Sequence, residues 1–397
     1  MFFNPLLIAT AAPPIPEAKA WSQAYHGRAG PMIDLSQAVP GYPPHPEFLR
    51  RLGEVAASRE AAQYGDILGD AALRDSYANH VSTLYGADIV SANVAITAGC
   101  NQAFFVAMIA LARVGEAVML PAPWYFNHKM ALDMLGIEAV ALPCQPGASF
   151  VPSIADARRL LTNRIRAIVL VTPNNPTGAV YPLETVAAFQ ALCEERGIAL
   201  VIDETYRDFI GKEEQHGGLA KSRWADSIVQ LYSFSKAYCI PGHRVGALVA
   251  GEALVSQIAK IQDTLQICSP RPAQMVLPWA IDALAGWRAS NRDEIARRAD
   301  ALEAAVVKLD GWSIGSIGAY FAYLRHPFVG ENDSEVCARL AVGGGVLCLP
   351  GSFFGEGQEG FLRVAFANVS VEEIAELPER IAIGSSANPE KARRGTG

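Results

Sequence analysis

Six short runs of apolar residues follow one another through the middle of the chain, and none contains a charged residue. A strand exposed on one face alternates apolar and polar residues, whereas a strand covered on both faces is apolar throughout. Segments with a helical pattern, such as residues 101–113 and 182–197, separate the runs. This pattern predicts a three-layer α/β domain with helices on both faces of a mainly parallel sheet. The runs are AVML (117–120), AVAL (139–142), AIVLV (167–171), ALVI (199–202), SIVQLY (227–232) and GALVA (246–250).

The pattern changes towards the C-terminus, which indicates a second and smaller domain. Residues 286–309 have the composition of one long, charged, amphipathic helix, and shorter apolar stretches with turns follow it. We therefore expect a large domain at 45–285 and a small α+β domain formed by 1–44 and 286–397. The last residues, 385–397, are polar and are expected to be disordered.

Composition and charge narrow the classes of partner. The chain has 33 basic and 40 acidic residues and a net charge of −7, so it lacks the basic face that a nucleic-acid partner requires. Its 7 cysteines occur singly, which is typical of reduced thiols in a cytoplasmic protein.

The apolar N-terminus has no basic region and is interrupted by Pro5, so we expect a retained segment rather than a signal peptide. No apolar stretch is long enough to predict a membrane span.

Polar residues with chemical functions follow several predicted strands. Gly99 and Cys100 lead into a helix, where backbone amides favour an anion such as phosphate, although an ordinary helix start has the same pattern. Asn175 lies in TPNNPTG, a stretch that is also typical of a simple turn. Asp203 ends a buried strand and requires a cation, a protonated ring nitrogen or a metal. No His or carboxylate cluster with ligand spacing accompanies it, so we predict no metal.

Lys236 lies in LYSFSKAYCIPGHRVG (231–246), with Arg244 downstream. A lysine is costly to bury unless it is paired or loses its charge, so this one either lies at a solvated sheet edge or reacts. Ligands collect beyond the carboxyl ends of such strands, where these residues are expected to meet. Together they match pyridoxal 5′-phosphate, which has an aldehyde for a lysine, a pyridine nitrogen for a carboxylate, a phenolic oxygen for donors, and a phosphate for arginine, hydroxyls and amides.

The chain resembles the class I/II aminotransferase family of fold-type I pyridoxal phosphate enzymes over roughly residues 30–380. The motifs that carry the resemblance are SFSK (233–236) followed by GHRVG (242–246), NPTG (175–178) and DETY (203–206). The resemblance implies a seven-stranded sheet in the large domain and a homodimer with shared active sites. It also implies an aminotransferase that moves an amino group from an L-amino acid to a 2-oxo acid by a ping-pong mechanism.

The resemblance assigns the catalytic residues. It implies that Lys236 bonds to the cofactor aldehyde and then moves the proton between substrate and cofactor. Asp203 corresponds to the carboxylate that pairs with the pyridine nitrogen. Asn175 and Tyr206 correspond to the residues that hydrogen-bond the phenolic oxygen, and Asn175 is also counted among the substrate-binding residues.

Five further residues are implied to bind the cofactor phosphate. Ser233, Arg244 and the backbone amides of Gly99 and Cys100 correspond to the phosphate-binding set of the family. Tyr64 corresponds to a tyrosine that reaches the phosphate from the partner subunit. A surface turn residue is the other interpretation of Tyr64.

The remaining assignments concern the cofactor ring and the substrate. Tyr125 corresponds to the aromatic residue that stacks on the ring, with a core aromatic as the alternative. Arg363 corresponds to the arginine that binds the substrate α-carboxylate bidentately, with a salt-bridged strand residue as the alternative. Ala38 falls in the N-terminal substrate-binding segment. His128 and His243 lie beside these positions and are interpreted as structural.

One difference between this chain and dicarboxylate-specific relatives predicts the class of substrate. Dicarboxylate-specific relatives carry a further arginine, which acts from the partner subunit, shortly before the segment that matches Ser269–Pro270, where this chain reads QDTLQ (262–266). We therefore predict a neutral or hydrophobic substrate side chain, with Arg271 as the alternative anchor for an acidic one. A carbon–sulfur lyase, a synthase or an oxidase on this fold would use the same Lys236. A non-catalytic DNA-binding regulator would require a further N-terminal domain that is not expected here.

Overall fold

The computed structural model describes residues 1–211 and 214–386. Its strands form sheets of seven, four and two strands, and all six apolar runs lie in the seven-stranded sheet. In chain order the strands are β1 Ile33–Asp34, β2 Val94–Thr97, β3 Ala117–Ala122, β4 Glu138–Pro143, β5 Ile165–Val171, β6 Ala199–Asp203, β7 Ile228–Ser233, β8 Gly246–Val249, β9 Ser313–Gly318, β10 Phe321–Arg325, β11 Val346–Leu347, β12 Leu349–Pro350 and β13 Phe361–Ala365.

The α-helices largely alternate with the strands of the large sheet. The helix expected at 182–197 ends at Gly197, which has a left-handed φ of 64° that favours glycine. In chain order the α-helices are α1 Pro5–Ala9, α2 Ile15–Gln23, α3 Pro46–Ala56, α4 Ala71–Tyr85, α5 Cys100–Leu111, α6 Phe126–Leu135, α7 Ile154–Leu160, α8 Leu183–Arg196, α9 Phe234–Ala237, α10 Glu252–Gln266, α11 Arg271–Ala283, α12 Ala285–Val306, α13 Asp333–Arg339, α14 Val371–Ala375 and α15 Leu377–Ser385.

The large sheet has the strand order β2-β8-β7-β6-β5-β3-β4. Strands β7, β6, β5, β3 and β4 are mutually parallel, whereas β8 is antiparallel to both β7 and β2. The predicted three-layer α/β fold with a mainly parallel, seven-stranded sheet is therefore confirmed. The reversed direction of β8 was not predicted, because an apolar run does not show which way a buried strand points.

Both faces of this sheet are buried, which explains the continuous apolar runs. In β5, Ile168 and Leu170 pack into one core with residues of α4, α8 and α11. The alternate residues Val169 and Val171 pack into a second core with residues of α5, α6 and α10. Because successive side chains of a strand point to opposite faces, burial of both faces disfavours polar residues before the strand ends, and Gln230 within β7 is an exception that hydrogen-bonds Glu204.

A second, four-stranded sheet has the antiparallel order β12-β13-β10-β9. The predicted long helix is α12, and its residues Ile295, Leu302 and Val306 pack into the core beneath this sheet. The N-terminal segment joins this part of the chain, because β1 pairs in parallel with β11.

The C-terminus is described only as far as residue 386. Ser385 belongs to α15, and the remainder of the tail for which disorder was predicted, 387–397, lies outside the described residues. Within the described part of the chain, no helix is both long and apolar enough to cross a membrane.

Candidate active site

The carboxyl ends of β2, β5, β6 and β7 lie at one edge of the large sheet and border a cavity of about 160 Å³. Ser233 at the end of β7 and Thr97 at the end of β2 are both paired with Gly246, the first residue of β8. Because β8 is antiparallel, the residues that precede it, including Arg244, reach this same edge. The cavity is lined by Cys100, Asn101, Tyr125, Val171, Asn175, Asp203, Thr205, Tyr206, Ser233, Ser235, Lys236, Pro241 and Arg244.

Asp203 is buried and held from two sides. Nε2 of His128 lies 3.3 Å from its Oδ2 atom. The hydroxyl of Thr205 donates to Oδ1 at 2.7 Å, and the Thr205 backbone amide donates to the same oxygen at 3.0 Å. Burial alone would raise the pKa of Asp203, but the interactions with His128 and Thr205 outweigh it and hold the pKa below its ordinary value. The carboxylate therefore keeps its charge in an apolar setting and suits a protonated ring nitrogen.

Lys236 lies in the short helix α9, which begins directly after β7. The Ser233 hydroxyl accepts a hydrogen bond from the Ser235 amide and so caps this helix. The Nζ atom of Lys236 donates to the backbone carbonyl of Ala38. Burial, together with the positive charges of Arg363 and Arg244, lowers the pKa of Lys236 to about 8. About a tenth of such an amine is neutral at pH 7, far more than for an ordinary lysine, and the neutral form is the nucleophilic one.

Two tyrosines face the cavity from different elements. Tyr206 is buried, and its ring lies 5.1 Å from that of Phe321 on β10. Tyr125 precedes α6, and its ring contacts that of His128 edge-on at 5.2 Å. Burial raises the pKa of both phenols, so both hydroxyls stay protonated and can donate hydrogen bonds.

A cradle for an anion lies at the N-terminus of α5. Gly99, with a φ of 87°, caps this helix, and a Cβ atom at Gly99 would clash with the guanidinium of Arg244. Arg244 donates to the carbonyls of Pro241 at 3.0 Å and Ala98 at 3.4 Å. The buried Ser235 hydroxyl oxygen has no hydrogen-bond partner among the described residues. Helix amides, an arginine and free hydroxyls are the groups that bind phosphate.

Arg363 on β13 lies beside the cavity and is buried, with 3% of its surface exposed. Its Nη1 atom donates to Oδ1 of Asn175 at 3.4 Å, and Nη2 donates to the carbonyl of Ser36. Burial lowers the pKa of Arg363 to about 10, so the guanidinium remains charged at neutral pH. The Nε atom has no partner among the described residues. Arg363 can therefore offer further donors to a carboxylate.

The structure brings together most of the residues that the sequence singled out, but two lie elsewhere. Tyr64 is 77% exposed and is absent from the cavity wall of its own chain. Arg271 forms an ion pair with Asp70 at 3.0 Å, and it also donates to the carbonyl of Glu60 at 2.6 Å. Ala38 contributes its carbonyl rather than its side chain.

Several residues at this edge were not assigned from the sequence. His128 was interpreted as structural, but it contacts Asp203 directly while its ring stacks on Phe104 at 3.9 Å. Thr205 and Ser235 lie in the quoted motifs DETY and SFSK, so their spacing from Asp203 and Lys236 could have drawn attention to them. Nothing in the local sequence links His128 to Asp203, because the contact is made across the fold.

These groups fit pyridoxal 5′-phosphate. The cradle formed by Gly99 and Arg244 suits the phosphate, Asp203 suits the pyridine nitrogen, and Lys236 suits the aldehyde. A mainly parallel sheet with this donor set at its carboxyl edge defines a fold-type I pyridoxal phosphate enzyme. The family profile described as aminotransferase class I and II matches residues 30–381, and the chain belongs to that family.

Named relatives agree with this family. An aspartate aminotransferase of Thermotoga maritima is 28% identical over 372 residues, which are 92% of this chain and 94% of the relative. An aromatic aminotransferase of Arabidopsis thaliana is 26% identical over 359 residues, 89% of each protein. The solved structure of a Thermus thermophilus aspartate aminotransferase double mutant has a TM-score of 0.88 at 22% identity and covers 96% of this chain and 99% of its own.

The predicted family, cofactor and activity are therefore confirmed. The protein is a pyridoxal phosphate-dependent aminotransferase that acts on amino acids. Amino acid and 2-oxo acid substrates and a dimeric architecture are typical of this family.

Proposed function

We propose that the protein transfers the amino group of an L-amino acid with a neutral or hydrophobic side chain to a 2-oxo acid. The supporting observation is that each arginine near the site already has a role. We assign Arg244 to the cofactor phosphate and Arg363 to the substrate α-carboxylate, while Arg271 forms an ion pair with Asp70. The described residues of this chain that line the cavity include no further arginine, and residues 262–266 lack the arginine that dicarboxylate-specific relatives contribute from the partner subunit.

The surroundings of Arg363 favour the same substrate class. Its guanidinium carbon lies 5.2 Å from the ring centres of both Phe321 and Phe354. Phe354 in turn packs against Phe126, with ring centres 5.8 Å apart. Phe321 and Phe354 are fully buried, whereas Phe126 is partly exposed, so we propose that Phe126 offers the apolar contact for a substrate side chain.

When bound, pyridoxal phosphate supplies an aldehyde and an electron-withdrawing ring through which an amino group passes between the two substrates. We propose that Asp203, held by His128 and Thr205, keeps the ring nitrogen protonated. Asn175 and Tyr206 bind the phenolic oxygen, and Tyr125 stacks on the ring. The side chains of Asp203, Thr205, Asn175, Tyr206 and Tyr125 lie at the cavity wall, and His128 lies behind Asp203.

We assign the proton transfer to Lys236. An amine with a pKa of about 8 can both accept and return a proton near neutral pH, which is the requirement for a group that moves a substrate Cα proton. Arg363 would fix the α-carboxylate and so orient the Cα–H bond towards Lys236. Ser233, Arg244 and the amides of Gly99 and Cys100 would hold the phosphate, which anchors the opposite end of the cofactor.

Substrate class is tested with the purified holoenzyme and a panel of amino acids, with 2-oxoglutarate and pyruvate as acceptors. We expect kcat/KM for leucine, phenylalanine or alanine to exceed that for aspartate and glutamate by at least about tenfold. An Arg271→Gln variant should leave this ratio unchanged, because Arg271 is engaged elsewhere. A preference for aspartate would contradict the proposed substrate class, and ammonia release without an acceptor would indicate elimination instead of transfer.

We also propose a homodimer in which Tyr64 reaches the phosphate of the partner's active site, since Tyr64 is exposed on its own chain. Mixing inactive Lys236→Ala and Tyr64→Ala chains after mild denaturation tests this arrangement. A hybrid dimer would then contain one site with both residues intact, so activity should reappear. If Tyr64 acted within its own chain, the mixture would regain no activity.

We also propose a division into two domains and a location in the cell. The division into a large domain at 45–285 and a small domain from 1–44 with 286–397 is supported by the separate core beneath the four-stranded sheet, and limited proteolysis would test it. A cytoplasmic location is supported by the cysteines, all of which are free. Cell fractionation that placed the protein outside the cytoplasm would overturn it.

A further inference from the structure

One donor of Arg363 is held by the carbonyl of Ser36, which lies in the segment that follows β1. Backbone hydrogen bonds fix this segment to two strands. The Leu35 amide donates to the carbonyl of Leu347 in β11 at 2.7 Å, and the Leu35 carbonyl accepts from the amide of Ala365 in β13 at 2.8 Å. The segment is therefore fastened to the same strand that carries Arg363.

Asp34 determines how the chain leaves this fixed position. Its Oδ1 atom accepts hydrogen bonds from the Ser36 amide at 2.8 Å and from the Ser36 hydroxyl at 2.6 Å. An aspartate that accepts from the amide two residues later closes an Asx turn, in which the side chain takes the place of a backbone acceptor. Both hydrogen-bond donors of Ser36 point at one oxygen, which restricts the orientation of this residue.

The backbone of Asp34 is itself fixed. Asp34 is paired with Leu347 in the parallel ladder between β1 and β11, and its carbonyl accepts from Nδ2 of Asn368 at 2.6 Å. The carboxylate is therefore attached to a backbone that has little freedom, so it can hold Ser36 in one place.

The guanidinium of Arg363 depends on such fixed acceptors. Its Nη2 atom is held by the Ser36 carbonyl and its Nη1 atom by Asn175, while Nε has no partner among the described residues. A planar fork that binds a carboxylate at two points binds it more tightly when its plane is already fixed, because less freedom is lost on binding. Burial is the largest influence on the pKa of Arg363 and lowers it, and the carboxylate of Asp34 is among the charges that oppose this effect.

We propose that Asp34 is a positioning residue for the substrate α-carboxylate. Its hydrogen bonds to Ser36 hold the Ser36 carbonyl in the place where that carbonyl orients the guanidinium of Arg363. Asp34 lies outside the described wall of the active-site cavity, so it acts through Ser36 and Arg363 rather than on the substrate itself. This inference rests on the function proposed above, in which Arg363 binds the α-carboxylate.

Steady-state kinetics of the holoenzyme test the inference, with the amino acid that gives the highest kcat/KM in the panel above. Asp34→Ala removes the acceptor and should raise KM by about three- to tenfold, while kcat and the cofactor absorbance change by less than about twofold. Asp34→Asn keeps an acceptor oxygen, so its KM should stay within about twofold of the wild type. Gln37→Ala changes an exposed residue of the same segment and is the matched control.

The same substitution in the Arg363→Gln protein shows whether Asp34 acts through Arg363. Asp34→Ala should then raise KM by less than about twofold further, because the guanidinium that it positions has been removed. A residue with a merely structural role would impair both backgrounds equally. Such an equal effect, or an Asp34→Asn protein as impaired as Asp34→Ala, would overturn the proposal.

Two further outcomes separate this inference from the function on which it rests. An unchanged KM in Arg363→Gln would contradict the role of Arg363 and with it that of Asp34. An unchanged KM in Asp34→Ala, beside a raised KM in Arg363→Gln, would contradict the role of Asp34 alone. If Asp34→Ala does not fold, Ser36→Ala removes one of the two hydrogen bonds and takes its place in the same cycle, and an unchanged KM in that variant would also overturn the proposal.

Discussion

The Nε2 atom of His128 lies 3.3 Å from Oδ2 of Asp203, while Thr205 occupies Oδ1 of the same carboxylate. The two partners hold opposite oxygens, so they fix both the charge of the group and the plane in which it lies. A carboxylate at the end of a buried strand would otherwise tend to take up a proton. These two contacts explain how Asp203 remains an anion at the end of a buried strand.

Replacing this anion should abolish most turnover. Asp203→Asn keeps the shape of the side chain but removes the charge that stabilises a protonated ring nitrogen. We expect kcat to fall by about 10²–10³-fold while the protein still binds cofactor. Steady-state kinetics and the visible absorbance of the bound cofactor measure the two effects. Asp263→Asn, an exposed substitution on α10, is the control, and near-normal turnover in Asp203→Asn would refute the proposed role.

The lowered pKa of Lys236 predicts how stability depends on pH in the cofactor-free protein. Its pKa is about 8 in the folded chain against 10.5 in an ordinary lysine, so the unfolded state binds more protons between these values. Stability should therefore rise with pH across this window, by up to about 3 kcal/mol relative to a Lys236→Met variant. Urea unfolding of both proteins at several pH values measures the difference. A constant difference would mean that the folded environment does not shift this amine.

Removal of the Arg363 guanidinium should weaken substrate binding. Arg363→Gln removes the charged donors proposed for the α-carboxylate, so KM for amino acids should rise by at least about tenfold. The cofactor absorbance should change little, because the phosphate and ring contacts remain. Arg325→Gln, an exposed change on β10, should alter neither quantity. An unchanged KM in Arg363→Gln would place the carboxylate elsewhere.

A side chain at Gly99 should both strain the backbone and clash with Arg244. At Gly115 it should strain the backbone alone. Gly99 and Gly115 both have positive φ, at 87° and 84°, but a Cβ atom meets Arg244 only at Gly99 and nothing within 4 Å at Gly115. Both alanine variants lose some stability from the backbone conformation. Only Gly99→Ala should also weaken cofactor binding, by about tenfold or more. Equilibrium dialysis measures the affinity, and equal values in the two variants would argue against the phosphate cradle.

Sequence patterns were sufficient for six of the seven strands of the large sheet and for much of its active edge, whereas β2 was not among the apolar runs. Strands buried on both faces are recognisable from their continuous apolar residues, and the polar residue that ends such a strand, as Asp203 does, lies at the ligand edge. The position of Arg244 beside Ser233 depends on the direction of β8, which apolar content does not encode. The contact between His128 and Asp203 depends on packing between distant segments, so no local pattern predicts it.

The carbonyls of Ser36 and Ala38 accept hydrogen bonds from Arg363 on β13 and from Lys236 on α9, respectively. The length of chain between these two carbonyls therefore constrains the distance between the guanidinium of Arg363 and the amine of Lys236. Surface loops usually tolerate changes in length. An inserted or deleted residue at position 37, however, would change the distance between these two cations. If Arg363 binds the substrate carboxylate and Lys236 acts at the amino group, as proposed above, the N-terminal segment helps to determine which separation of these two groups the site accepts.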